Sequence, residues 1–306
     1  MGRRKRKNCI DVDGILLLDK PQGLTSNGAL QEVKHVFRAC KAGHTGSLDP
    51  IATGLLPLCF GEGTKVSQFL LDSDKTYICE FRLGQETDTY DADGQIVAEH
   101  EVNVSRRDVE NALKHFVGRI EQLPPMYSAV KMNGQALYKL AREGVEVERQ
   151  ARTVTVYDIR VLDWPADESC RLEINCSKGT YVRALVHDLG QMLGCGAHMT
   201  ALRRTRVGEL SLDNAVTIDE IRDIDELARA ALLAPIDDAL MGLPEVTLTS
   251  LATHYLLQGQ PISMTHGHAP GWVRLYEPDR QFLGMGEVLD DGRVAPRRLM
   301  ISQQKA

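Results

Sequence analysis

Leu172-Glu-Ile-Asn-Cys-Ser-Lys-Gly-Thr-Tyr-Val-Arg-Ala-Leu-Val-His-Asp-Leu-Gly-Gln-Met-Leu193 changes its hydrophobic period in mid-stretch. Leu172, Ile174 and Cys176 alternate, the period of a strand with one buried face. After Lys178-Gly179-Thr180, the apolar residues Val182, Leu185, Val186, Leu189 and Leu193 recur at helical spacing. Gly194 then stands where a helix end favours glycine. One stretch thus holds a strand, a turn and a helix.

The same mixture recurs on either side. Tyr77, Cys79, Phe81 and Leu83 alternate against Ile78, Glu80 and Arg82, a strand with one mostly polar face. Val154 and Val156 are out of phase with Ile159 and Val161, which predicts a bulge or a break. Gly14 to Leu18 reads as a buried strand closed by the Asp19-Lys20-Pro21-Gln22-Gly23 turn. Ser26 is expected to cap a helix carrying Leu30, Val33, Val36 and Phe37, and Thr64 a short helix with Phe69 and Leu70. Ser105 and Asp108 have capping-box spacing ahead of Val109, Leu113, Phe116 and Val117. Asn133-Gly134 marks a turn before a helix that stops at Gly144. Residues 217–240 read as helical. Beyond Pro244 the texture becomes one short helix and Gly-punctuated strands. The fold class expected is α+β, a mixed, largely antiparallel sheet with flanking helices, plus a small β-rich C-terminal domain. The boundaries expected are 1–8 as a basic arm, 9–244 as the main domain and 245–306 as the second.

Of the 306 residues, 43% are apolar and 25% charged, which excludes disorder or a coiled coil over the whole chain. No apolar run is long enough to span a bilayer, and the basic start has no apolar segment behind it, so neither a membrane protein nor a secretory signal is expected. Seven cysteines at scattered spacing, with no Cys-x-x-Cys, read as reduced thiols of a cytoplasmic protein. The net charge of −6 argues against binding polyanions over the whole surface, but basic residues cluster at 3–7, 203–206 and 293–305. Acid collects at Glu86 to Asp93 and at Asp219 to Glu226.

Gly43-His-Thr-Gly-Ser-Leu-Asp-Pro-Ile-Ala-Thr-Gly54 is the segment richest in chemistry. Three glycines permit unusual backbone conformations, and Pro50 holds Asp49 extended. The segment suits either a catalytic loop or a turn whose polar groups bond local amides. Other motifs fail. Gly61-Glu-Gly63-Thr-Lys65 lacks phosphate-loop spacing. Thr89-x-Asp91-x-Asp93-Gly94 has Thr at the first calcium-ligand position and His100 at the last. His254, His266 and His268 have no Cys or carboxylate to complete a zinc set. His44, Ser47 and Asp49 have the composition of a hydrolase triad, without any sign of its geometry.

Five blocks in order resemble the tRNA pseudouridine synthase B family: Leu18-Asp-Lys-Pro21, the Gly43–Leu56 loop, Asp74-Lys-Thr-Tyr77, Ser177-Lys-Gly-Thr-Tyr-Val-Arg183 and Ala201-Leu-Arg-Arg204. They span about residues 14–206. Ser47 departs from the family's usual alanine. The tail from 245 is similar, more weakly, to a PUA RNA-binding domain.

The resemblance implies a pseudouridine synthase fold and conversion of uridine to pseudouridine at position 55 in the T loop of tRNA, with no cofactor and no metal. It makes Asp49 the nucleophile and Arg183 its guanidinium partner. It sets Tyr77 against the target base, with Tyr181 and Leu202 as further contacts. His44 is to fill the place the flipped base leaves. By position alone Tyr77, Leu202 and His44 read equally as core residues, and Arg183, off the apolar face of its helix, as exposed. Lys20, Lys65, Lys131, Arg203 and Arg204 are candidate phosphate contacts, as are Arg293, Arg297 and Arg298 in the tail. A monomer with no obligate protein partner is expected. Two other functions are weighed: a tRNA-folding module with little or no chemistry, and a hydrolase built on His44, Ser47 and Asp49.

Overall fold

A computed structural model describes residues 9–263 and 269–300, apart from 129, 133 and 146. In chain order the strands are β1 (Gly14–Lys20), β2 (Ala42–His44), β3 (Thr53–Phe60), β4 (Lys75–Leu83), β5 (Gln85–Thr87), β6 (Ile96–Glu99), β7 (Gly118–Gln122), β8 (Lys131–Met132), β9 (Gln135–Ala136), β10 (Arg152–Ala166), β11 (Ser169–Cys176), β12 (Ala197–Val207) and β13 (Leu210–Ser211). The second sheet holds β14 (Glu245–Thr247), β15 (Ile262–Ser263), β16 (Gly271–Tyr276), β17 (Phe282–Val288) and β18 (Arg293–Leu299). The helices are α1 (Ser26–Val36), α2 (Ser67–Asp72), α3 (Arg106–Leu113), α4 (Leu137–Arg142), α5 (Val182–Leu193), α6 (Ile218–Asp223) and α7 (Ser250–Leu257).

The main sheet runs β1-β3-β12-β4-β11-β10-β7, with β2 on β3 and β13 on β12. The alternation in β4 does what its sequence dictates: Tyr77, Cys79, Phe81 and Leu83 point into the core. They meet Leu172, Ile174 and Cys176 of β11 and Leu185, Val186 and Leu189 of α5. The phase slip in β10 is a register shift against β11 between Val156 and Asp158, the first of three along the pair, so the strand bulges and continues. Every main-sheet pairing is antiparallel except β3 with β12, where Thr53 and Gly54 lie beside Arg203 and Arg204. Gly54 has φ +98°, and a Cβ there would stand 2.3 Å from the Arg204 carbonyl oxygen, so glycine is needed for the approach. This junction lays the chemistry-rich loop across the sheet.

Several local expectations hold. Ser105 and Asp108 make a reciprocal capping box, worth on the order of 1 kcal/mol. Gly194 ends α5 in the left-handed conformation. Others are corrected. Thr25, not Ser26, caps α1, accepting from the Gly28 amide. The Ser26 hydroxyl is freed to grip Leu48 at both backbone groups, at 2.7 and 3.1 Å. Val66, not Thr64, precedes α2, and Thr64 donates to the Gly61 carbonyl instead. Residues 217–240 form only α6 and two 3-10 turns, because Pro235 interrupts the chain and little of it is buried. Cys9 and Cys40 are joined by a disulfide where reduced thiols were expected, because Ile10 pairs with Ala39 and brings the two cysteines together. The other five are free and buried.

The second sheet has its own core, centred on Val246, Leu256, Val273, Leu275 and Val294. It joins the main body through Val66, Leu240 and Met285, an edge-on Phe69–Trp272 contact and a Lys65 hydrogen bond to the Leu299 carbonyl. Among the described residues no helix is long and apolar enough to cross a membrane.

Candidate functional site

The loop between β2 and β3 is tied down at several points. Thr45 bonds the Pro57 carbonyl through both its amide and its hydroxyl. Ser26 holds Leu48, and the Gly23 amide donates to Pro50. The Gly46 carbonyl accepts from Arg204. Fixed on both sides, Asp49 points into a cleft of about 310 Å³ lined also by Tyr77, Ser128, Tyr181, Arg183, Met199 and Leu202.

Arg183 stands one residue into α5. Its guanidinium meets Asp49 at 3.1 Å and Asp91 at 3.2 Å, and also donates to the Tyr127 and Thr89 carbonyls. The side chains of Arg183 and Asp91 are only 5% and 4% exposed, whereas that of Asp49 keeps 39% of its surface. The buried pair therefore acts as a fixed mount, and Asp49 is the open end. Asp91 is itself anchored by the Thr89 hydroxyl and the Asp93 amide. Burial pushes the Asp49 carboxyl above its ordinary range, with Arg183 opposing and Asp91 and Asp93 reinforcing. Arg183 Nε and Ser128 Oγ are buried without a hydrogen-bond partner among the described residues. In a cleft, such groups are left for a ligand to satisfy.

Tyr77 and Leu202 are almost fully buried at the cleft wall. Tyr181 is held at both backbone groups by the side chain of Gln122, itself buried on β7. His44 stands at the end of β2, outside the cleft lining, with Nδ1 buried and without a hydrogen-bond partner among the described residues. Burial lowers its pKa, assisted by Arg204, so the imidazole is neutral at neutral pH. No hydrogen bond links His44, Ser47 and Asp49 among the described residues, which removes the relay a hydrolase needs.

The structure does not bring together the expected phosphate contacts. Lys20 is fully buried, its ammonium bonded to the Pro21 and Leu24 carbonyls, and burial lowers its pKa to about 8. Arg204 is 1% exposed, with no surface for a phosphate. Both expectations fail because the chain around these cations closes over them. Lys65 bonds Glu62 and the Leu299 carbonyl, and Arg203 grips Asp19 with two bonds, at 2.6 and 3.1 Å. Arg293 pairs with Asp291 and Arg297 with Glu287, while Arg298 has no ion pair among the described residues. The Lys131 side chain, residues 1–8, His266 and His268 lie outside the described residues. The sequence singled out neither Asp91 as a partner of Arg183 nor Gln122 as the holder of Tyr181. The only hint of Asp91 was the failed calcium pattern, and nothing marked Gln122.

Comparison with known proteins places the chain. Residues 34–182 match the TruB family pseudouridylate synthase N-terminal domain, 183–241 the tRNA pseudouridylate synthase B C-terminal domain, and 244–300 the pseudouridine synthase II TruB C-terminal region. The chain is similar to the tRNA pseudouridine synthase B of Serratia proteamaculans, 50% identical over 97% of this chain and 98% of that one. It is 49% identical to that of Yersinia enterocolitica, over 98% and 94%. A chain in a solved H/ACA RNP bound to a substrate RNA containing 2′-deoxyuridine superposes with a TM-score of 0.72 at 25% identity, covering 95% of this chain and 86% of that one. The chain belongs to the TruB family of pseudouridylate synthases and converts uridine to pseudouridine in tRNA.

Proposed function

We propose that this TruB-family enzyme acts on uridine 55 of the tRNA T loop, with Asp49 as nucleophile, in the cytoplasm and as a monomer. The single observation that carries the reading is the Asp49–Arg183 contact at 3.1 Å, on a side chain that remains 39% exposed to the cleft. A carboxylate in such a site tends to protonate, and the guanidinium opposes this while aiming the oxygen. The net chemistry is balanced within the substrate. The C1′–N1 bond breaks, the base turns, C1′ bonds to C5, C5 gives up its proton and N1 takes one. No redox equivalent or transferred group is required, and a cofactor-free site suffices.

A uridine within a folded arm reaches Asp49 only when turned out of its stack, at a cost of a few kcal/mol. The cleft, at about 310 Å³, is at the small end of ligand sites and suits one pyrimidine. In this reading Tyr77 packs on the base, Tyr181 and Leu202 close its sides, and neutral His44 occupies the vacated position. Residues 9–244 act as the catalytic unit. Residues 245–306, as a PUA-like unit, reach another part of the tRNA through Arg293, Arg297 and Arg298.

Pseudouridine mapping of an unmodified tRNA transcript and of a T-arm minihelix tests this. The wild type should modify only position 55 in both, and Asp49→Asn should bind both and modify neither. Product from Asp49→Asn at the wild-type rate would end the nucleophile assignment.

A further inference from the structure

Arg204 is a large cation with almost no exposed surface and no carboxylate at ion-pair distance among the described residues. Burying a guanidinium without a counter-ion is unfavourable, so its retention needs a reason. Two of its nitrogens are committed to backbone carbonyls of the site. Nε donates to the Leu55 carbonyl at 2.7 Å and Nη2 to the Gly46 carbonyl at 3.1 Å, and the side chain lines the same cleft as its cross-strand partner Tyr77. Register explains the convergence. Arg204 lies opposite Tyr77 across β12 and β4, and beside Gly54 across β12 and β3. It therefore bonds both ends of the Asp49 loop and stands opposite the tyrosine of the cleft wall.

We infer that Arg204 is a positioning residue for the isomerisation, holding the Tyr77 hydroxyl in one orientation toward the target base and fixing the Gly46 end of the Asp49 loop with the same planar group. The inference rests on the proposed place of Tyr77 against the base. A guanidinium suits the task because its donors are set in a rigid plane, which a lysine ammonium cannot copy. Its charge also opposes the effect of burial on the phenol, favouring the ionised oxygen. The other charged or titratable groups coupled to this pair are Asp49 on the loop, Cys176 on β11, Lys75 on β4, Lys20 on β1 and His44 on β2. Lys75 is occupied by carbonyls at the end of α2, and Lys20 by those of its own turn. Neither replaces Arg204 at the phenol.

The test is a double-mutant cycle of Arg204→Lys and Tyr77→Phe, read by single-turnover rate and by tRNA Kd, with thermal melts to confirm folding. Arg204→Lys should slow turnover by roughly 10- to 100-fold while Kd moves less than about 2-fold, and in the Tyr77→Phe background its further cost should fall below about 3-fold. Equal losses in both backgrounds, or a loss expressed in Kd, would overturn the inference and leave the reading of Tyr77 intact. A Tyr77→Phe variant with wild-type turnover would overturn both. Should Arg204→Lys not fold, arginine side-chain NMR of the wild type and Tyr77→Phe asks the same question. The buried Arg204 guanidinium signals should shift in the variant, and unchanged signals would overturn the inference.

Discussion

The cleft and the C-terminal sheet handle charge in opposite ways. In the cleft, one guanidinium serves two carboxylates and another meets none among the described residues: Arg183 is shared by Asp49 and Asp91, and Arg204 is held by two carbonyls. In the C-terminal sheet most charges pair off in the open, Arg293 with Asp291, Arg297 with Glu287 and Arg280 with Glu245; the exception is buried Arg274, which donates to the Leu243 carbonyl and the Tyr276 hydroxyl and meets the half-exposed Glu245 at 3.5 Å. Exposed pairs of this kind contribute little and are screened by salt. The buried set cannot rearrange, which is what a site needs if charge is to meet charge only in the reacting complex. The difference teaches that burial of a cation together with its carboxylate, as in Arg183 and Asp91, marks the catalytic region, whereas Arg160, Arg171 and Arg222 each meet two carboxylates in the open.

Substitutions can break or sharpen that contrast. Asp49→Asn should have the largest effect, lowering turnover by at least roughly 10⁴-fold, as loss of a nucleophile does, with the Tm unchanged or raised. The sign follows from linkage. A carboxyl whose folded pKa is raised stabilises the fold in its protonated form, and that contribution is lost as pH rises through the raised pKa. Removing the ionisable group thus costs the fold nothing at neutral pH. A clear fall in Tm would show that the ionised group supports the fold.

Arg183→Lys should come next, slowing turnover by roughly 10²-fold because one ammonium cannot hold two carboxylates and two carbonyls. Since only ionised Asp49 attacks, the rate should fall as pH drops through its raised pKa. Arg183→Gln should move that acid limb to still higher pH. A pH–rate profile unchanged in Arg183→Gln would remove Arg183 from the control of Asp49. Asp91→Asn should slow turnover by about 10-fold, through a loosened Arg183, yet move the acid limb down, because Asp91 raises the Asp49 pKa. An upward shift would break that assignment.

The C-terminal sheet should respond more mildly. Replacing Arg293, Arg297 and Arg298 together by Gln should weaken tRNA binding by about 3- to 10-fold and flatten its salt dependence, leaving single-turnover rate alone. The T-arm minihelix should bind as before. Equal losses on the minihelix would place those arginines beside the T arm itself. Ser47→Ala should be the quietest change, under about 2-fold in turnover, and an inactive Ser47→Ala would revive the hydrolase.

Local patterns were legible wherever a residue's role depends on its neighbours in the chain. The alternation in β4, the Ser105–Asp108 box and the Gly194 helix end are of this kind. Ser26 misled because two adjacent hydroxyls both fit a cap, and only the approach of Leu48 decides between them. Residues 217–240 misled because apolar spacing cannot make a continuous helix where Pro235 breaks it and only Ile218, Ile221 and Leu240 are buried. Asp49, Tyr77, Arg183, Tyr181, Leu202 and His44 were found through motif resemblance rather than through physics. All but His44 line the cleft. Asp91 and Gln122 carry no local signature, since their partners lie far along the chain.

The sequence alone determined most of the elements and the loop that carries Asp49, because hydrophobic period, caps and glycine positions act over a few residues. Tertiary structure decided which cations are buried, which carboxylates share them, and that Arg204 and Lys20 face inward. Burial and ion pairing depend on segments dozens of residues apart closing over one another, and no short stretch of chain specifies that closure.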